Sequence, residues 1–173
     1  MRDTEFNSGE PLGYFITWTC YGTWLPGDKR CWQRKGVGER QVPNELFEEM
    51  AAATMKETAF NLGQRDREIV EATIIRHCDI RKWDLHTVDA RSNHVHVVVT
   101  APGYKPEVAR DQFKAWCTRK LKAIHRGREK FWVEGGSRRY LNSEADLDNA
   151  VKYVNEAQDR KGLDPIRTRR ASE

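Results

Sequence analysis

Cysteine is scarce and scattered. The 173-residue chain has four, Cys20, Cys31, Cys78 and Cys117, and no two form a CxxC pair. That excludes a zinc-finger or thioredoxin-like motif. Long apolar runs are missing as well: nothing approaches the ~18 residues of a membrane helix, so no membrane partner is expected. The opening residues MRDTEFNSGEPLGY lack the basic-then-apolar order of a signal peptide. With no secretion signal, the cysteines read as reduced thiols, and the expected location is cytoplasmic. Repeats, low-complexity tracts and linkers are absent too. The expectation is therefore one domain over 1–173, with a flexible polar arm at 1–12 and a basic tail at 164–173. Charge of one sign is not in large excess overall, with 30 Lys+Arg against 26 Asp+Glu and a net +4. What the chain does have is aromatics, 10% of residues including six Trp, which argues against wholesale disorder.

The charge is unevenly placed. Between Lys105 and Arg139 stand eleven Lys/Arg and four Asp/Glu. Such a block suits a phosphate backbone, and equally a solvated helix face.

Local patterns give a sequence of elements. Tyr14–Thr23 is rich in aromatic and β-branched residues and alternates as a strand. Pro26-Gly27 then turns the chain into a basic loop that runs to about Val42. Asn44 caps a helix to about Asn61, with Leu46, Phe47, Met50, Ala51 and Met55 as its apolar stripe. A second helix spans Asp66 to about His77. Trp83–Ala90 and His94–Ala101 are strands around a Ser92-Asn93 turn. Lys105–His125 is an amphipathic helix whose expected buried stripe is Val108, Phe113, Trp116, Cys117, Leu121 and Ile124. A short strand near Leu141 precedes a closing helix from Ser143 to about Arg160, opened by an approximate capping box with Asp146. The order predicts an α+β fold, a ferredoxin-like βαββαβ sandwich with an antiparallel sheet and helices on one face. The other face is then open to a ligand.

The sharpest chemical feature is His94-Val95-His96. Residues two apart in a strand share a face, so both imidazoles project side by side, a suitable geometry for one divalent cation. By itself the triplet equally describes two polar residues on a wet sheet face. Tyr153 on the closing helix reads as a core aromatic or as a nucleophile. A phenol, with its ordinary pKa of ~10, attacks phosphorus if the phosphate is polarised and the phenolate stabilised. A basic helix and a cation beside it would supply that help. Gln158 offers a neutral oxygen for a hard metal. In an α-helix, however, five residues place it ~140° round from Tyr153, and Glu156 is a rival.

Together these pieces resemble a known family. Asn93-His94-Val95-His96-Val97-Val98-Val99 looks like the HUH motif of the IS200/IS605-type single-tyrosine transposases, and most nearly of the REP-associated tyrosine transposases. Tyr153-Val154 followed by Gly162-Leu163 is similar to their catalytic-tyrosine helix. Ile16–Thr19 through Tyr21–Asp28 resembles their first strand and following loop. The similarity runs in register over most of 13–163.

The resemblance implies a metal-dependent transposase, or endonuclease, that cleaves and rejoins single-stranded DNA beside hairpin or palindromic elements. His94 and His96 would hold Mg²⁺ or Mn²⁺ with one polar residue of the tyrosine helix, here Gln158. Tyr153 would form the 5′-phosphotyrosine link, making Tyr153, His94 and His96 the catalytic set. Many relatives carry Asn or Gln four residues after the tyrosine, where this chain has Ala157. The resemblance leaves both a monomer and a homodimer open. Lys105, Arg110, Lys114, Arg119, Lys120 and Lys122 are the expected phosphate contacts. Trp24 and Trp32, and beside them Trp132, are the expected base-stacking groups, while Trp18 and Trp116 are expected in the core. Two other readings stand beside this one. One is a non-catalytic binder of hairpin or single-stranded nucleic acid on the same scaffold. The other is a histidine-motif nucleotide hydrolase, which would need a third His where Val98 stands.

Overall fold

The computed structural model describes residues 9–33 and 39–157, the side chains of Gln33 and Ala157 apart. Most of the expected arm, part of the basic loop, the tail and Gln158 lie outside the described residues.

Four strands form one antiparallel sheet: β1 (Gly13–Thr19), β4 (Asp84–Ala90), β5 (His94–Thr100) and β6 (Ser137–Leu141), in the order β4-β5-β1-β6. The short strands β2 (Trp32–Gln33) and β3 (Arg40–Gln41) pair separately. β1 and β4 are both antiparallel to β5, hence parallel to each other, and α2 (Gln64–Arg81) crosses between them. In the same way α3 (Pro106–Lys122) joins β5 to β6. Two such crossovers of one hand place both helices on one face, which is the expected α+β sandwich.

Alternation builds that face. Tyr14, Ile16, Trp18 and Cys20 of the first segment and Val95, Val97 and Val99 of β5 join Val70, Ile74 and Cys78 of α2 and Ala109, Phe113, Cys117 and Leu121 of α3 in one buried cluster. Each fully buried side chain of this kind is worth about 2 kcal/mol. The opposite residues, Phe15 and Val98, turn to the second face. There they meet Leu141 and the closing helix α4 (Glu144–Lys152) through Leu147, Ala150, Val151 and Val154. The βαββαβ helices thus share one face, and α4 crosses part of the other. Among the described residues no helix is long and apolar enough to span a membrane.

Several boundaries differ from expectation for identifiable reasons. The first strand ends at Thr19, since Gly22 turns with φ of 72°. The helix from Asn44, α1 (Glu45–Ala53), stops at Thr54 rather than Asn61. Beyond it Phe60 N–H donates to Tyr21 O and Leu62 N–H to Ser92 O, burying both side chains where a helix would have kept them out. None of α1 is buried, so its stripe is not a core stripe. α2 is longer than expected at both ends, and an αL Lys82 ends it. On α3 the inward residues are Ala109, Phe113, Cys117 and Leu121, whereas Val108 and Trp116 are each 42% exposed. Trp18 is in the core as expected and Trp116 is not.

α4 begins as the sequence indicates. Ser143 Oγ accepts from Asp146 N–H at 3.1 Å. Ser143→Ala is expected to cost about 1 kcal/mol, read as a lower midpoint in urea unfolding at unchanged slope.

Candidate active site

β5 presents His94 and His96 on the second face, with ring centroids 4.5 Å apart. Both rings are tied at Nδ1. Thr17 Oγ1 of the neighbouring β1, directly opposite in register, lies 2.7 Å from His96 Nδ1, and His94 Nδ1 donates to Asn93 Oδ1 at 2.5 Å. Hydrogen bonds of this sort fix an imidazole's rotation and leave Nε2 as the nitrogen a metal would take. His96 is nearly buried, at 6% exposure.

Tyr153 stands at the end of α4, where the helix widens into a π-helical turn over Tyr153–Ala157. Its ring packs edge-on against Phe15 at 5.9 Å and lies 6.2 Å from the His96 ring. Phe15 also touches His96, at 5.4 Å, so one aromatic seats both groups. Tyr153 is 36% exposed, at the rim of the site and not in the core. The π turn is held to the sheet by Thr87 Oγ1 on β4, which donates to Asn155 Oδ1 at 2.8 Å. Asp89, opposite His96 on β4, is ion-paired with Arg91 at 3.1 Å.

The structure therefore brings His94, His96 and Tyr153 together on one face. Gln158 lies outside the described residues. Glu156, the rival, is exposed. Among the described residues no three His, Cys, Asp or Glu converge as a metal cluster. The donor set in view is thus two oriented imidazole nitrogens, which could supply two ligands to a divalent cation.

The basic helix is not beside this site. α3 packs on the opposite face, so it cannot stabilise a phenolate at Tyr153. Helical amphipathicity shows which stripe is buried, not which side of a sheet it covers. Its six expected phosphate contacts also separate. Arg110 is buried and paired with Asp111 at 2.9 Å. Lys114 Nζ donates to Val133 O at 2.6 Å and Gly135 O at 2.9 Å. Burial, and secondarily Arg110, pushes its amine down to about 8. Lys114 therefore serves the α3–β6 connection, while Arg110 is engaged by its neighbour on α3. Lys122 is paired with Glu129 at 2.5 Å. Lys105, Arg119 and Lys120 are exposed, with Arg119 stacked 4.5 Å over Trp116.

Trp24 is 39% exposed and lines a groove of about 500 Å³ with Tyr21, Lys114, Lys130 and Phe131. Arg30 covers its ring at 4.9 Å, and its Nε1 donates to Cys31 O at 2.9 Å. Trp32 instead packs on Phe47 at 5.2 Å, away from that groove. Trp132 lines the same groove, packs edge-on against Trp18 at 6.0 Å and donates to Thr118 Oγ1 at 3.0 Å.

Sequence reasoning missed Thr17, Asn93, Phe15 and Thr87 as supports of the site. Thr17 and Phe15 were visible as the alternate positions of the first strand. Their opposition to His96 and Tyr153 depends on a pairing register that no local pattern reveals.

No family model matches the chain, and no curated protein sequence matches it. Among solved structures it is similar to a REP-associated tyrosine transposase bound to a REP hairpin. The TM-score is 0.56 at 13% identity, over 90% of this chain and 71% of that one. At that identity the likeness is one of fold.

Proposed function

We propose that this chain is a divalent-metal-dependent, single-tyrosine transposase that cuts and rejoins single-stranded DNA beside hairpins. The observation that carries the reading is the meeting of His94, His96 and Tyr153 on the sheet face that α2 and α3 leave uncovered. The hairpin-bound state of the protein with the similar fold adds support for the substrate class.

His94 and His96 would hold Mg²⁺ or Mn²⁺, whose chemistry there is to polarise a phosphate oxygen. Tyr153 Oη attacks the phosphorus and gives up its proton. The bond to O3′ breaks, the leaving oxygen takes a proton as a 3′-hydroxyl, and the phosphate stays on the tyrosine at the 5′ end. Attack by a 3′-hydroxyl reverses the step, so strand rejoining needs no external energy source. Phe15 keeps the phenol seated beside His96 meanwhile, and Thr87 holds the π turn to the sheet.

The same turn bears on the third ligand. An α-helix closes i to i+4, a π turn i to i+5. On such a path a residue five after Tyr153 would follow it on one side, and on that ground Gln158, which lies outside the described residues, is proposed as the third ligand over Glu156. The competing reading is a hairpin-binding protein without catalysis. It draws on the absence of a third His, Cys, Asp or Glu ligand among the described residues. Incubation with hairpin single-stranded DNA and Mn²⁺ separates the two: a covalent protein–DNA band supports cleavage, and its absence with binding intact supports the binder.

Thr17→Val keeps the side-chain shape and removes the Oγ1 at His96 Nδ1. It is expected to weaken Mn²⁺ binding about 10–100-fold, seen by calorimetric titration, with cleavage recovering as Mn²⁺ is raised.

A further inference from the structure

The face of the molecule remote from the site carries a second cavity. It lies between α2 and α3, encloses about 490 Å³, and is lined by Ile69, Ala72, Ile80 and Trp116 beneath Arg76, Arg81 and Lys120. No carboxylate is among its lining residues. Ile80 is 64% and Trp116 42% exposed, a large exposure for such residues when they stand together. Nucleic acid is a poor occupant. Isoleucine offers no stacking face, and the Trp116 ring is already covered by Arg119 at 4.5 Å.

The surface that complements this groove is on the same chain. α1, with the sequence ELFEEMAAA, has three glutamates and no cation. Leu46, Met50 and Ala53 fall at i, i+4 and i+7, so they share one side, and Glu45 and Glu49 edge that side. Leu46 is 68% and Met50 58% exposed. An acidic-edged apolar helix and a cation-rimmed apolar groove are the two halves of a helix-in-groove contact. Within one molecule both halves are already fixed in the fold on separate elements, α1 on one hand and the α2–α3 pair on the other.

We propose that α1 of one copy docks in the α2–α3 groove of a second copy. The contact is head-to-tail: each molecule offers one helix and one groove, so association continues into a closed ring or a chain unless a surface is blocked. Its groove lies on the face opposite His94, His96 and Tyr153, and the proposal does not depend on the function proposed for them.

Sedimentation velocity of the full chain without DNA, over a concentration series, tests this. The expected result is a mass that rises with concentration and falls with salt, because oppositely charged rims are screened. Ile80→Asp and Leu46→Asp each change an exposed residue, and each is expected to hold the protein as a monomer with an unchanged circular dichroism spectrum. An equimolar mixture of the two is expected to form a dimer and nothing larger, since it contains one intact helix and one intact groove. As an independent check, Arg76→Glu with Lys120→Glu is expected to abolish association, and Glu45→Lys with Glu49→Lys added to the same chain to restore it. A wild-type protein that stays monomeric overturns the proposal. So does association indifferent to Ile80→Asp and Leu46→Asp, or a mixture of the two that does not pair.

Discussion

Tyr153→Phe is expected to eliminate the covalent protein–DNA band and to lower hairpin-adjacent cleavage by at least ~10³-fold, the scale of losing a nucleophile. The substitution removes one oxygen. The ring keeps its edge contacts with Phe15 at 5.9 Å and His96 at 6.2 Å, so the π turn has no reason to move. Tyr153 stands at the rim of the site, 36% exposed, so the loss of one oxygen leaves no void in the core. Unfolding midpoint and hairpin affinity are expected within error of wild type. Denaturing electrophoresis after incubation with Mn²⁺ and labelled DNA reads the adduct, and urea unfolding reads the fold. A Phe variant that still forms the adduct would show that another residue attacks. A variant that unfolds would make Tyr153 a structural phenol.

The parts of this molecule that local pattern encodes were legible, and the parts set by which elements meet were not. Period-two alternation marks the strand of His94 and His96 and places both rings on one side. The Ser143 cap located the start of the tyrosine helix. By contrast, Leu46, Phe47 and Met50 have the spacing of a core stripe and are exposed, because α2 and α3 already cover the sheet face. Trp116 looked like core for the same reason, and its side of α3 opens on the groove. Arg110 and Lys114 have the charge of phosphate contacts, but Arg110 is paired with Asp111 and Lys114 is engaged by the α3–β6 connection. Widening of the closing helix into a π turn follows from no propensity in YVNEA.

His96→Ala is expected to abolish cleavage while hairpin binding stays within about twofold, since phosphate contacts supply most of the affinity for DNA. The imidazole sits between Thr17 and Phe15 and is 6% exposed, so alanine also leaves a small void and some loss of stability is expected. His96→Gln guards against misreading that loss: it fills the space yet cannot offer an imidazole nitrogen in the same place. If the ring is a ligand, both variants lose cleavage, and neither recovers as Mn²⁺ is raised. That is the contrast with Thr17→Val, which disturbs only the ring's orientation and recovers. Gln158→Ala is expected to behave like Thr17→Val, because His94 and His96 still hold the ion, while Glu156→Ala is expected to be silent. Parallel cleavage and filter-binding titrations distinguish these outcomes. Equal losses of binding and cleavage in His96→Gln would mean that the ring contacts DNA directly. Full activity in that variant would mean that no metal-dependent step passes through it, and the two-imidazole site would have to be abandoned.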